Sequence, residues 1–227
     1  MSLWSIYSTH SGKKAHKWLQ FISAYDLHFQ KYINRPLTLF EIGVHAGGSL
    51  EIWKKFLGPT STIVGIDINE NCLKHKKLDS DIHVEIGDQS NLDFLSSVLE
   101  KYGNPDIVID DGSHVMSHMI NTFEFLYPKV DINGMYVVED THTSYLELFQ
   151  GNDKTKPNWN EYVKRLIDLL HAESPGQYNG IWGFPWSNLP EYTEFKRTTL
   201  SMHLYDSIVF FQKGKFKSHL IDSGTLY

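Results

Sequence analysis

Two short apolar runs in this chain each end in paired acids and then a histidine. They are Ile107-Val108-Ile109-Asp110-Asp111-Gly112-Ser113-His114 and Tyr136-Val137-Val138-Glu139-Asp140-Thr141-His142. Adjacent carboxylates repel one another, and leaving them unpaired near a core is costly. A divalent cation would relieve that repulsion. An imidazole titrates near neutrality, so a histidine beside the acids could take a proton from a reacting group. Plainer readings exist for each segment alone. Asp110 and Asp111 could cap the next helix, Glu139 and Asp140 could sit in a solvated loop, and the histidines could be structural. Two runs ending in the same pattern make coincidence the poorer account.

For these residues to meet, the two runs must share one sheet. A continuous β-branched run suits a strand buried on both faces of a parallel sheet. In such sheets ligands bind just beyond the carboxyl ends of the strands. Four carboxylates and two histidines would then converge on one rim.

The surrounding sequence supplies that sheet. Residues 37–43, 62–67, 82–88, 106–110 and 135–139 read as strands. Residues 49–56, 69–77, 92–102 and 117–126 read as the helices between them, from apolar positions at helical spacing. One or two helices over residues 4–32 precede the first strand, themselves preceded by a polar turn at Ser8 to Gly12, and Arg35-Pro36 ends them. Beyond residue 145 the alternation stops. Residues 159–171 are periodic again, and 174–190 form a long loop rich in proline, glycine and aromatic residues, a lid or binding loop. Residues 198–205 and 207–212 read as a terminal antiparallel hairpin. The expected fold is therefore α/β: a Rossmann-like doubly wound sheet, mostly parallel, with a C-terminal antiparallel hairpin. It is one domain over 1–227, with a helical segment at 1–36 and an insertion or lid at 146–197.

A second constellation lies at the earlier strand ends. Glu41-Ile42-Gly43-Val44-His45-Ala46-Gly47 follows an apolar strand directly. Its glycines permit a tight turn and a close backbone approach to a ligand. The dinucleotide pattern wants glycine two residues after the first, but position 45 is histidine, so that pattern fails. A nucleoside without phosphates needs less of a phosphate cradle. Asp67 ends the second strand, where an acid accepts hydrogen bonds from ribose hydroxyls. Asp88 follows the third strand, where an adenine amino group would be read.

These stretches together resemble the class I S-adenosylmethionine-dependent methyltransferases. More narrowly, the chain is similar to the metal-dependent sugar O-methyltransferases of macrolide biosynthesis and to the cephalosporin-hydroxylase-like group. The residues that carry the likeness are Glu41-Ile42-Gly43-Val44 with Gly47-Gly48-Ser49-Leu50, Gly65-Ile66-Asp67, Gly87-Asp88-Gln89-Ser90, Ile109 to His114, Val138 to Tyr145, and His203-Leu204-Tyr205-Asp206-Ser207. The resemblance implies a class I methyltransferase fold with S-adenosylmethionine and Mg²⁺ as cofactors. It implies Glu41, Gly43, Gly47, Ser49, Asp67, Asp88 and Asp110 as cofactor-binding, with Asp110 facing the methionine end or else capping the next helix. Asp111, Glu139 and Asp140 would hold one Mg²⁺, and His114 would be the general base. His142, Tyr145, Trp182 and Trp186 are acceptor-site candidates; the two tryptophans either stack on a sugar ring or cover the rim of the sheet. The spacing of His114 and His118 could be mistaken for a zinc pair, but no cysteine and no third histidine is near in sequence. The glycine loop is shorter than in the macrolide enzymes, and no family motif is placed within residues 146–197. That leaves the acceptor open between a sugar hydroxyl and another small-molecule diol. A non-catalytic S-adenosylmethionine-binding protein is the alternative of a different class.

Composition sets the outer bounds. The chain has 227 residues, 41% hydrophobic and 21% charged, with net charge −6 and the single cysteine Cys72. That charge gives no broad electrostatic case for nucleic acid or an anionic membrane. One cysteine fits a reducing compartment. No apolar run approaches the roughly 18 residues of a membrane span, and the first residues lack the pattern of a signal peptide. The expected setting is cytoplasmic, with a small-molecule or sugar acceptor as partner and homo-oligomerisation left open.

Overall fold

The computed structural model describes residues 2–153, 155–156, 158–171, 190–215, 221–222 and 225–226. Its centre is a seven-stranded sheet of β1 (Leu37–Ile42), β2 (Ser61–Asp67), β3 (Ile82–Ile86), β4 (Ile107–Asp110), β5 (Met135–Val138), β6 (Thr199–Tyr205) and β7 (Ile208–Lys213), in the order β3-β2-β1-β4-β5-β7-β6. The first five strands run parallel, and β7 inserts antiparallel beside β5. This is the predicted doubly wound sheet with a reversed hairpin.

Strand alternation sorts the core into two layers. Leu39, Ile107, Ile109, Met135 and Val137 face one cluster with Phe21, Tyr25, Phe29 and Trp53. Phe40, Ile42, Val108, Tyr136 and Val138 face the other, with Met119, Phe123 and Trp159. The first layer comes from α1 (Leu3–Ser8), α2 (Leu19–Phe29) and α3 (Gly48–Leu57). The second comes from α4 (Leu92–Tyr102), α5 (Met116–Leu126) and α6 (Trp159–His171). Asn91 caps α4 through its side chain, and Gly103 ends it at φ +78.

Four details differ from the sequence reading. The polar stretch at Ser8 to Gly12 follows α1 and separates it from α2, where it was expected to precede both. Residues 70–75 form a 3-10 helix where an α-helix was expected; only Cys72 and His75 are buried, three residues apart, which suits three residues per turn. A helix, α7 (Pro190–Thr198), leads into β6, with Pro190 at its first position. A two-residue ribbon pairs β8 (Ile221–Asp222) with β9 (Thr225–Leu226). The proposed lid at 174–190 lies outside the described residues except for Pro190. Among the described residues no helix is long and apolar enough to cross a membrane.

Helix α2 meets the terminal hairpin through His28. Its ring lies 4.3 Å from that of His203 and 4.7 Å from that of Phe210, and its Nε2 is 2.9 Å from the Tyr205 hydroxyl. Burial pushes the His28 pKa down to about 4, helped by the nearby His203 and Lys31. The fold thus favours neutral His28. Its contribution to stability is full above the ordinary histidine pKa of about 6.5 and is lost as pH falls toward 4. His28→Gln should flatten that part of the acid-side loss. Comparing Tm of the wild type and the variant at pH 7 and pH 4.5 checks this: parallel drops would remove His28 from the account.

Candidate active site

The register of three neighbouring strands builds the site. Glu41 pairs with Ile109, Ile42 with Asp110, and Asp110 with Val138. Just past the strands, the Asp111 N–H donates to the Ile42 carbonyl and the Glu139 N–H to the Asp110 carbonyl, both at 2.9 Å. Alternation then puts Glu41, Asp111 and Glu139 on the α2–α3 side of the sheet. Asp110 faces the opposite side.

The three acids on the first side converge on one cation. The Lys17 ammonium lies 2.5 Å from Asp111 Oδ2, 2.7 Å from Glu139 Oε1 and 3.4 Å from Glu41 Oε1, and its side chain is only 4% exposed. Burial alone would lower the Lys17 pKa; the charges of Asp111, Glu139 and Glu41 override it and hold the ammonium well charged. Glu139 is fully buried and also accepts from the Tyr25 hydroxyl at 2.6 Å. Burial, with Asp111 beside it, raises its pKa, while Lys17 and Tyr25 oppose the rise. Burial also raises Glu41, which accepts from Ser49 Oγ at 2.7 Å and Trp53 Nε1 at 3.1 Å.

Asp140 turns the other way. Its backbone is left-handed at φ +53, and so is that of His114 at φ +55. Such conformations are uncommon for residues with a Cβ and gather at functional sites. They aim the two side chains together: His114 Nε2 is 3.6 Å from Asp140 Oδ2 and 3.8 Å from Asp111 Oδ1. Asp111, His114 and Asp140 each offer a donor atom within 4.8 Å of the others. Burial and the Asp111 charge raise the Asp140 pKa, with His114 and His142 opposing. Three carboxylates share the Lys17 ammonium and a fourth, Asp140, lies beside them without it, so negative charge is in excess and the donor set fits a hard divalent cation. Asp111 and Asp140 lie on its open side, and Glu139 lies behind Lys17.

Beside the acids lies a cavity of about 830 Å³, bordered by Gly43, Ser49, Asp67, Asp111, His114 and Asp140 among others. Asp67 Oδ2 accepts from the Val44 and His45 N–H groups at 2.8 and 3.0 Å, and Oδ1 accepts from Asn69 N–H at 2.9 Å. These amides outweigh burial and hold its pKa low. One carboxylate thereby fixes the loops after β1 and β2. Gly43 sits at φ +96, and a Cβ there would collide with the Asp111 carbonyl oxygen. The glycine loop and the acid cluster are thus in direct backbone contact.

Among the described residues, the other sequence candidates do not line this cavity. Gly47 lies under the His75 ring at φ +76, behind the cavity wall. Asp88 accepts from its own turn at Ser90 N–H, which lowers its pKa. Asp110 is buried behind the wall, 3.1 Å from Gln89 Nε2, and burial raises its pKa to about 7. Val115 stands at the helix N-cap position, so Asp110 does not cap α5. His142 stacks on Trp18 at 4.7 Å, with its Nδ1 4.0 Å from Asp140 Oδ1. Tyr145 is 70% exposed and borders a different depression with Ser144 and Asn152. Trp182 and Trp186 lie outside the described residues. Sequence reasoning missed Lys17, Trp18 and the whole of 13–18, which lines the cavity. The one signal available was the pair of lysines at 13 and 14 followed by Lys17 in an otherwise acidic chain.

No protein-family model matches the chain. It is 34% identical over 209 residues to an 8-demethyl-8-alpha-L-rhamnosyl tetracenomycin-C 2'-O-methyltransferase of Streptomyces olivaceus, covering 88% of this chain and 51% of that protein. It is 35% identical over 206 residues to the mycinamicin VI 2''-O-methyltransferase of Micromonospora griseorubida, covering 86% of this chain and 48% of that one. Among solved structures, it is similar to the MycE methyltransferase of the mycinamycin biosynthetic pathway in complex with Mg, SAH and mycinamycin VI. That match has a TM-score of 0.76 and 31% identity, covering 95% of this chain and 54% of the other. The chain thus spans about half the length of the relatives it matches.

The contact between Gly43 and Asp111 can be tested against a glycine with strain but no neighbour. Gly103 has φ +78, and nothing lies within 4 Å of the place a methyl would take there. Gly103→Ala should cost about 1–3 kcal/mol, the strain of an alanine held in extended backbone at positive φ, a region that only glycine ordinarily occupies. Gly43→Ala should cost more, by a further ~1–3 kcal/mol of overpacking, and should disorder the acid cluster. Equal losses in thermal unfolding would show that the close approach is not a constraint.

Proposed function

The chain belongs to the class I S-adenosylmethionine-dependent methyltransferases, related within them to O-methyltransferases of glycosylated natural products, and from that kinship we propose that it methylates a sugar hydroxyl in a Mg²⁺-dependent reaction. The observation that carries this reading is the meeting of Asp111, His114 and Asp140 at the rim of the cavity floored by the Gly43 loop. A sugar hydroxyl is a poor nucleophile near neutrality, so the transfer needs its proton removed. The acceptor reading is supported by the name of the Streptomyces olivaceus relative, which states a rhamnosyl substrate and a 2'-O-methyl transfer.

Asp67 binds the ribose hydroxyls, and the Gly43 loop lies against the nucleoside. Asp111 and Asp140, with Glu139, hold the ion and fix the acceptor oxygen against the methyl donor. When bound, Mg²⁺ lowers the pKa of a coordinated hydroxyl, and S-adenosylmethionine supplies an electrophilic methyl on sulfur. His114 Nε2 accepts the hydroxyl proton. The new bond joins the sugar oxygen to the methyl carbon, the bond from that carbon to sulfur breaks, and the sulfur keeps the electron pair. His142 stacks on Trp18, which lines the cavity, and so backs the wall near Asp140.

The parts should separate by experiment. Asp67→Ala should weaken S-adenosylhomocysteine binding by about 1.5–3 kcal/mol, a charge-assisted hydrogen bond, as calorimetry would read. Chelation, or Asp140→Ala, should abolish methyl transfer to a panel of nucleotide-linked sugars and glycosides while leaving that affinity nearly intact. His114→Ala should keep metal and cofactor binding and lower turnover by roughly 10²–10⁴-fold. Full-rate methylation after chelation would make the carboxylates structural and remove the mechanism.

A further inference from the structure

Residues 10–18 form neither helix nor strand, yet 13–18 line one side of the cavity. Hydrogen bonds, an ion pair of Lys13 with Glu51 at 3.8 Å and the stack of Trp18 on His142 hold this strap. The Lys13 N–H donates to Glu51 Oε2 at 3.0 Å, the Gly48 N–H to the Lys14 carbonyl at 3.2 Å, and the Tyr7 hydroxyl to the Ala15 carbonyl at 3.2 Å. The Lys17 N–H donates to the Tyr7 oxygen at 3.1 Å. The anchor of a different order is the Lys17 ammonium, buried among three carboxylates.

Two of those carboxylates, Asp111 and Glu139, belong to the set assigned above to the divalent ion. Lys17 occupies Asp111 Oδ2 and Glu139 Oε1 at hydrogen-bond distance. A Mg²⁺ ion sits about 2.0–2.1 Å from its oxygens. Sharing both oxygens would put a monovalent and a divalent cation within a few ångströms inside a buried site, where their repulsion is poorly screened. We propose that Lys17 is the chain's own occupant of the cation seat, and that the divalent ion expels it on binding and frees the strap. This inference rests on the metal-dependent reading above.

The coupling reaches the cofactor end of the cavity. A Cβ on Gly48 would collide with the Lys13 carbonyl oxygen and with Lys14 backbone atoms. The strap therefore lies directly on the first turn of α3, beside Ser49. Freeing Lys17 loosens the cover over that turn. Ion binding and strap release then favour one another, each raising the population of the other's partner state.

Two measurements decide the matter, both on the full chain without cofactor. The first is calorimetric titration with MgCl₂ of the wild type and of Lys17→Met, a variant of similar length and no charge. The variant should bind the ion tighter by about tenfold or more, because no tethered charge must leave. The second is amide hydrogen exchange over residues 13–18 of the wild type, which needs no variant. It should speed up on saturation with Mg²⁺. Ion uptake with equal or weaker affinity in Lys17→Met, or unchanged exchange in the saturated wild type, would overturn the inference and leave the metal-dependent reading standing. Absence of ion uptake in both proteins would overturn the two together.

Discussion

Repulsion among Glu41, Asp111, Glu139 and Asp140 is the constraint around which the rest of the molecule is arranged. Three adjacent parallel strands deliver these acids to one end of the sheet, and the register leaves them no room to separate. Like charges in a buried site push carboxyl pKa values up unless cations or donors intervene. The intervening groups come from every neighbouring element. Lys17 reaches in from the strap, Tyr25 from α2, Ser49 and Trp53 from α3. Even so, negative charge remains in excess on the side open to the cavity, beside His114. That residual field is what a divalent cation would neutralise.

The sheet was legible in the sequence because its central strands are buried on both faces. Runs such as Ile107 to Ile109 and Tyr136 to Val138 admit few other readings, and the carboxylates that follow them mark where the strands end. Helix α4 was legible from its spacing and from Asn91 and Gly103 at its two ends. Helix α7 was not, because Pro190 reads as a breaker when the preceding residues carry no helical pattern, although proline is well suited to a first turn. The 3-10 helix at 70–75 resembles an α-helix in sequence because two buried residues are too few to fix a period.

The candidate site was legible by type and less so by side. Placing four carboxylates on one rim ignored the two-residue period of a strand, which sends neighbouring side chains to opposite faces. Asp110 therefore joins Gln89 behind the wall while Asp111 faces the cavity. Asp140 follows Glu139 to the cavity only because its backbone turns left-handed, and no residue type announces that. Lys17 escaped notice for a different reason. Its partners are distant in the chain, and a lysine in a stretch read as an amphipathic helix ordinarily belongs to the solvent.

The distance between Lys17 and its partners also bears on how the molecule comes together. Ninety-four residues separate Lys17 from Asp111, and 122 separate it from Glu139. Contacts across such spans close large loops and are made late in folding. During synthesis the strap leaves the ribosome well before β4 and β5 exist to receive it. Until they pair, the N-terminal segment has only α1, α2 and α3 to hold it, and Lys17 has neither Asp111 nor Glu139 to pair with. The docking of Lys17 thus requires β4 and β5 to be present, and it ties the N-terminal segment to strands from the middle of the chain.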